Sequence, residues 1–345
     1  MVKAINRVEW IDIARAICIF CVIIVHTKTC PDYFRWFFTP FFMPICFFLS
    51  GVVYKSSATI KISVINSITK LLVPYFFFCI IATFVRLNWI EAILAGNYAE
   101  LFRIFEERIC SFVLGKDPWF LACLFLVQII SSILIHFFTN KKHLLIIAFI
   151  SLGYVFILNN QEIAPWNANT ALFALGYFLL GYVFQNKLKG AELSGKRRFY
   201  GFCFALFYFL LLYAVNIMHK APLNFDMHCN RFSSNPLWYV GLSLWGIVAI
   251  CLLSAAIKRN SFLSVVGSSS LVIYLFHGYS GFFLKKLLDL IGITPEFLLP
   301  QYYTLIFAVL SLLIALLISL FINKHIPILI GKGSTINKIV SKFSQ

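Results

Sequence analysis

Long apolar runs, separated by short polar segments, recur along the whole chain. A helix needs about 20 apolar residues to cross a bilayer. We predict ten such helices, at about 10–27, 37–54, 71–90, 118–138, 144–159, 169–186, 199–218, 237–257, 265–284 and 302–323. No polar linker divides them. The pattern therefore predicts an all-α polytopic membrane bundle in one domain, residues 1–345.

Composition supports a lipid surrounding. Of the 345 residues, 61% are hydrophobic and only 12% are charged, whereas soluble domains have about 25% charged residues. The net charge is +16, but the basic residues lie mostly in short loops, where they meet anionic lipid headgroups. Membrane lipids are therefore the expected partners of this charge, and nucleic acid is not.

The distribution of Lys and Arg over alternate loops predicts the orientation. Loops on the side of the N-terminus hold 18 of these residues, and the opposite loops hold 9. Because cytoplasmic loops are enriched in Lys and Arg, both termini are predicted to be cytoplasmic. In the long outer loop at about 91–117, residues Glu100–Leu114 have apolar positions at helical spacing, which predicts a helix lying on the membrane surface.

The first predicted helix carries three ionisable residues, which are costly within a membrane. Asp12 and Arg15 are three positions apart and share a helix face. His26 lies on nearly the same face, roughly 16 Å beyond Arg15. One interpretation is a functional polar stripe, with an anion site at its cytoplasmic end and a base at its outer end. The alternative is a structural Asp12–Arg15 pair and a histidine at a helix end.

Several other residues have the chemistry of a group-transfer site. A histidine is suited to take a proton from a hydroxyl, and a cation suits a phosphate. Tyr274 and His277 are three apart in the ninth predicted helix, and this pair is placed to face His26. Each of these residues also has a purely structural interpretation: Lys70 as a cytoplasmic anchor, Trp119 as an interfacial aromatic, and Tyr274 with His277 as an internal pair.

Other chemistries find little support. Cys18 and Cys21 have the spacing of a metal-binding pair, but they lie within a helix and no second pair accompanies them, so no metal site is predicted. The chain has no GxSxG elbow, phosphate-binding glycine loop or HExxH motif. Gly51, after a run of Phe residues, predicts a close approach between two helices.

Taken in order, five segments resemble the acyltransferase 3 family of bacterial membrane O-acyltransferases. They are residues 7–15 leading to His26-Thr27, 41–51, 70–75, 119–121 and 270–277. Within that family, residues 166–169, 171–181 and 234–236 resemble the branch typified by fucose 4-O-acetylase.

The resemblance implies ten helices, no permanently bound cofactor, acetyl-CoA or another acyl-CoA as the cytoplasmic co-substrate, and a carbohydrate or lipid-linked glycan as the acceptor. It implies that His26 is catalytic and that Arg15 lies on the donor side, where we also place Asp12 and Lys70. Many members have two basic residues spaced RxxR, and here these positions are Ser67 and Lys70. For the tetrahedral intermediate, Tyr274 or Trp119 is the expected hydrogen-bond donor, and we group His277 with them.

We therefore expect an O-acetyltransferase of the bacterial inner membrane that acts on a surface glycan such as an exopolysaccharide or O-antigen. Two alternatives remain open. The first is a polysaccharide flippase, polymerase or other transporter, in which the charges line a pathway. The second is a non-catalytic membrane subunit or sensor, in which Arg15 and His26 tolerate substitution.

Overall fold

The protein is almost entirely helical. A computed structural model describes residues 8–57, 59–85, 92–190, 195–218, 225–232, 235–257, 260–292 and 299–332. Within these ranges the one sheet is a two-stranded antiparallel ribbon, so the predicted all-α bundle is confirmed. The helices are α1 Glu9–His26, α2 Asp32–Phe38, α3 Phe42–Val53, α4 Ile60–Ser67, α5 Val73–Val85, α6 Tyr98–Val113, α7 Trp119–Phe137, α8 Lys141–Gly153, α9 Val155–Leu158, α10 Ala168–Lys189, α11 Gly195–Met218, α12 Pro236–Ala256, α13 Ser261–Ser268, α14 Ser270–Leu290 and α15 Pro300–His325; the strands are β1 Phe225–Asp226 and β2 Arg231–Phe232.

Most of the predicted membrane helices have a counterpart of sufficient length. In the described part of the chain, eight helices are long and apolar enough to cross a bilayer, or nine if a bent pair counts as one. The remaining predicted helix, 10–27, corresponds to α1, which has 18 residues and carries three charged side chains. A total of ten crossings, with both termini on one side, stays a prediction.

The third predicted helix begins much earlier than expected. The continuous helix starts at Ile60 rather than near 71, and it contains a π-helical segment, Ile68–Leu72. The hydroxyl groups just before Lys70 have hydrogen-bond acceptors within the bundle. Ser67 donates to Ser63 O and to Gln128 Oε1 of α7, and Thr69 donates to Ile65 O. Internal hydrogen bonds therefore let a polar stretch continue a membrane helix.

The ninth predicted helix, 265–284, is broken. Helices α13 and α14 meet at an angle of 82° across Ser269. A run of small residues, Gly267 to Ser270, occupies the break. Gly267 lies directly on the backbone of Asp12 in α1, so close that an added methyl group would overlap the Asp12 carbonyl. The break therefore lets α13 pack along the first helix while α14 continues in a different direction.

Helix α1 lies at the centre of the bundle. It packs against α3, α12, α13, α14 and α15. Behind it, α3 and α10 approach backbone to backbone through two glycines. A methyl group at Gly51 would overlap the Phe178 carbonyl, and one at Gly181 would overlap the Phe48 carbonyl. The predicted close approach at Gly51 is confirmed, and it is reciprocal.

The helix predicted in the long loop is α6. None of its residues is buried, but it is fixed at its C-terminal end. The Tyr75 hydroxyl donates to Phe112 O at 2.6 Å, and Trp166 Nε1 donates to Val113 O at 2.8 Å. Its position on a membrane surface stays a prediction.

Candidate active site

Two residues of the polar stripe predicted on the first helix, Asp12 and Arg15, contact each other. Arg15 Nη1 lies 3.7 Å from Asp12 Oδ1, so the two form an i,i+3 ion pair. Asp12 is 3% exposed, whereas the Arg15 side chain is 28% exposed. The guanidinium is thus anchored by a buried carboxylate while part of it stays accessible to a ligand.

His26 ends the same helix. Its Nδ1 donates to Val22 O at 3.0 Å. A carbonyl only accepts, so Nδ1 carries the proton and, in the neutral ring, Nε2 has the free lone pair. His26 is exposed, although Ile24 is 1% and Thr27 is 5% exposed. The ring therefore lines an opening at this end of the bundle, with its basic nitrogen available.

His277 of α14 lies against His26, where the sequence had placed it. The ring centroids are 5.1 Å apart and the planes are nearly perpendicular, at 86°. His277 Nδ1 donates to Tyr274 O at 2.6 Å, so this ring has the same tautomer as His26. In both neutral rings, Nε2 is therefore the nitrogen that has the free lone pair.

Two buried hydroxyls fix the backbone of His277. Its carbonyl accepts from Ser280 Oγ at 2.8 Å and from Ser311 Oγ of α15 at 3.4 Å, and the two hydroxyls bond to each other at 2.8 Å. The next residue, Gly278, is exposed, and a methyl group there would meet nothing within 4 Å. The backbone of His277 is thus held by two serines, while the space beside Gly278 is open.

Tyr274 and Trp119 differ in their distance from the His26–His277 pair. The Tyr274 ring contacts the His277 ring with centroids 5.9 Å apart, and it meets Phe120 edge to face at 5.5 Å. Trp119 stacks instead on His228, with centroids 5.0 Å apart and planes 17° apart. Tyr274 is therefore next to the histidine pair, and Trp119 is one ring further out.

His228 is a residue that sequence reasoning missed. It lies in the turn of the β1–β2 hairpin, where no periodic pattern marks it. The charges of Asp226, Asp117 and His26 act on His228, and those of Arg35, Asp226 and Asp117 act on His26. A cluster of polar residues in the loop 225–231 was the available signal.

Lys70 lies apart from this cluster. It is exposed within the π-helical segment. Its backbone packs against Gly331, the residue that follows the short 3₁₀ helix Pro327–Ile330. The charge of Lys55 acts on Lys70 and on Lys189. These three lysines form a basic group, while Ser67 is buried against Gln128. Ser67 is therefore unable to serve as a ligand contact in this arrangement.

A metal centre finds no support in the described residues, among which no group of three or more His, Cys, Asp or Glu side chains is placed to hold an ion. The arrangement instead offers an accessible arginine at one end of α1 and an accessible basic nitrogen at the other. These are the groups that a transfer reaction between an anionic donor and a hydroxyl would use.

Comparisons with known proteins give one match. No curated protein and no solved structure matches the chain. A family model described as an acyltransferase domain matches residues 8–320, which is most of the sequence and includes every site residue described above. The chain therefore belongs to the acyltransferase 3 family and is a membrane acyltransferase.

Proposed function

We propose that this acyltransferase is an O-acetyltransferase of the bacterial inner membrane. It transfers an acetyl group from acetyl-CoA to a hydroxyl of a surface glycan. The observation that carries the proposal is the placement of the exposed His26 ring, whose Nδ1 donates to Val22 O, against the His277 ring and on the helix that also holds Arg15. One helix thereby links a phosphate-binding group to a general base.

The donor binds from the Arg15 end of the bundle. Arg15, oriented by Asp12, pairs with a phosphate of acetyl-CoA, and Lys70 with Lys55 and Lys189 adds positive charge on the cytoplasmic surface. Arg15 and His26 are roughly 16 Å apart along the helix, a distance that the extended pantetheine arm of the donor can bridge. The thioester then reaches the histidine pair.

The transfer itself needs one base and one hydrogen-bond donor. Nε2 of His26 removes the proton of the acceptor hydroxyl, and the oxygen attacks the thioester carbonyl. The tetrahedral intermediate collapses as the C–S bond breaks, and His26 returns the proton to the leaving thiolate. Tyr274 donates to the oxyanion, because an oxyanion needs preorganised donors.

The test is acetyl transfer by a His26→Ala variant. We expect cells that produce it to lose alkali-labile acetate from their surface glycans, with a fall of about 10² to 10⁴-fold, the range for a general base. His143→Ala, at an exposed histidine near the start of α8, is the matched control and should keep full activity. Both variants should remain in the membrane fraction.

Each alternative function predicts a different result. A flippase, polymerase or transporter would change the amount or length of the glycan without any loss of acetate. A non-catalytic subunit or sensor would tolerate His26→Ala. Retained acetylation in that variant, with the protein inserted normally, would overturn the mechanism.

A further inference from the structure

The β1–β2 hairpin is fixed to the bundle by asparagines. Asn230 is fully buried in a left-handed conformation (φ 53°). Its Oδ1 accepts from Thr170 Oγ1 at 2.7 Å, its Nδ2 donates to Gln161 O at 3.3 Å, and its carbonyl accepts from Asn160 N at 2.7 Å. Asn159 Oδ1 also accepts from Phe232 N at 2.9 Å. These hydrogen bonds therefore hold the hairpin in a fixed position on the bundle.

The turn of this hairpin holds His228 in one place. Asp226 Oδ1 accepts from the backbone N–H groups of His228 and Cys229, at 2.9 and 3.1 Å. The imidazole lies flat on Trp119 of α7, with centroids 5.0 Å apart. A turn cap and a stacking platform on another element thus fix both the backbone and the ring of His228.

The ring of His228 is half-buried, and a chain of contacting rings leads from it through Trp119, Phe120 and Tyr274 to His277. The charges of Asp226, Asp117 and His26 all act on His228. Within the described residues, neither ring nitrogen of His228 has a hydrogen-bond partner, in contrast to the Nδ1 atoms of His26 and His277. Both edges of the His228 ring are thus available to a ligand.

The chemistry of this ring matches a hydroxyl. Burial lowers the pKa of His228 by more than the two carboxylates raise it, so the ring is neutral near pH 7. A neutral imidazole has one donor and one acceptor. A sugar hydroxyl also donates and accepts, which makes the two complementary.

We propose that His228 is an acceptor-binding residue, which hydrogen-bonds a hydroxyl of the acceptor next to the one that His26 deprotonates, and that Trp119 is a positioning residue that holds its ring. The inference rests on the proposed function, because it needs a hydroxyl acceptor at the His26 end. It assigns the hairpin to acceptor recognition and leaves the donor to α1.

The experiment separates acceptor recognition from donor binding. Full-length variants His228→Ala, His228→Gln and Trp119→Phe are compared with the wild type and with the control His143→Ala. One readout is alkali-labile acetate on surface glycans of cells producing each variant. The other is the affinity of the purified protein for acetyl-CoA, measured by titration calorimetry.

We expect His228→Ala to lower glycan acetate about tenfold, as the loss of one well-placed hydrogen bond implies, and to leave acetyl-CoA affinity unchanged. His228→Gln keeps a donor and an acceptor, and Trp119→Phe keeps an aromatic platform, so both should retain more activity than His228→Ala. Recovery by glutamine is a result that a merely structural role would not give.

Two results would overturn the inference. Wild-type acetate levels in His228→Ala would show that the ring does not touch the acceptor. Equal loss of acetate and of acetyl-CoA affinity in all His228 variants would place the residue in the fold or in donor binding. Failure of the proposed function is a different result, since then the wild type itself neither acetylates glycan nor binds acetyl-CoA.

Discussion

Gly267 and Asp12 pack backbone against backbone. The two residues are far apart in the sequence, yet a single methyl group on Gly267 would overlap the carbonyl of Asp12. Asp12 is also the buried partner of Arg15. The contact therefore sets the position of α1 against α13 at the point where the Arg15 guanidinium is oriented.

Substitution of Gly267 should be strongly destabilising. We expect Gly267→Leu to reduce the thermal stability of the purified protein, because overpacking costs about 1–3 kcal/mol or more when the neighbouring atoms are backbone. Thermal unfolding in detergent measures the change. Gly153→Ala is the control, since nothing lies within 4 Å of a methyl group there; equal effects in the two variants would contradict the packing argument.

Arg15 should act mainly on the donor. We expect Arg15→Gln to weaken acetyl-CoA binding about tenfold or more, as the loss of a charge-assisted phosphate contact implies. Removing the arginine also takes an ion-pair partner from the buried Asp12, which destabilises the fold. Arg15→Lys keeps the charge and should show an intermediate affinity.

The control for Arg15 is Lys142→Gln, at an exposed lysine in the first turn of α8. Titration of each purified variant with acetyl-CoA gives the affinities. Unchanged affinity in a correctly folded Arg15→Gln protein would exclude the donor role.

Ser280 should affect the rate of transfer through His277. Its hydroxyl donates to the His277 carbonyl and bonds to Ser311. We expect Ser280→Ala to lower glycan acetylation by about two- to tenfold, since removing one buried hydrogen bond costs about 1 kcal/mol and loosens the histidine. Acetyl-CoA affinity should not change.

Ser254→Ala is the matched control for this prediction. Ser254 is also fully buried in a membrane helix, but its hydroxyl has no hydrogen-bond partner among the described residues. If both serine variants lost the same activity, the effect would reflect general packing rather than the position of His277.

Asn230 should affect glycan acetylation through the position of the hairpin that holds His228. We expect Asn230→Gly to keep the left-handed backbone but to release the contacts to Thr170 and Gln161. Glycan acetate should then fall as it does in His228→Ala, while acetyl-CoA affinity remains. Comparing the double variant with the two single variants shows whether the residues share one role, because coupled residues are non-additive.

The parts of the site that follow a helical period could be predicted from the sequence. Asp12 and Arg15 form an ion pair as their spacing predicted, and His277 lies beside His26 because both belong to the same end of the bundle. Helical spacing determines which face a residue shares, and apolar length determines which end of a helix it occupies.

The remaining parts depend on contacts that no period encodes. His228 is placed by the hydrogen bonds of Asn230 and by the stack on Trp119. The early start of the helix at Ile60 depends on the bond between Ser67 and Gln128. The run of small residues indicated the break at 268–270. It was not predicted because the apolar residues on both sides were interpreted as one continuous helix.

Because of the 82° bend at Ser269, the position of the residues along helix α14 depends on the angle between α13 and α14. On one side of the bend, α13 is fixed to α1, and on the other, α14 packs along α15. His277 lies eight residues beyond the bend, about 12 Å along the axis, so a 5° change in the angle would move it by roughly 1 Å relative to His26. A misplacement of about 1 Å can cost a hundredfold in rate. The position of His277 relative to His26 thus depends on a turn of three serines, Ser268 to Ser270, that lies away from both rings.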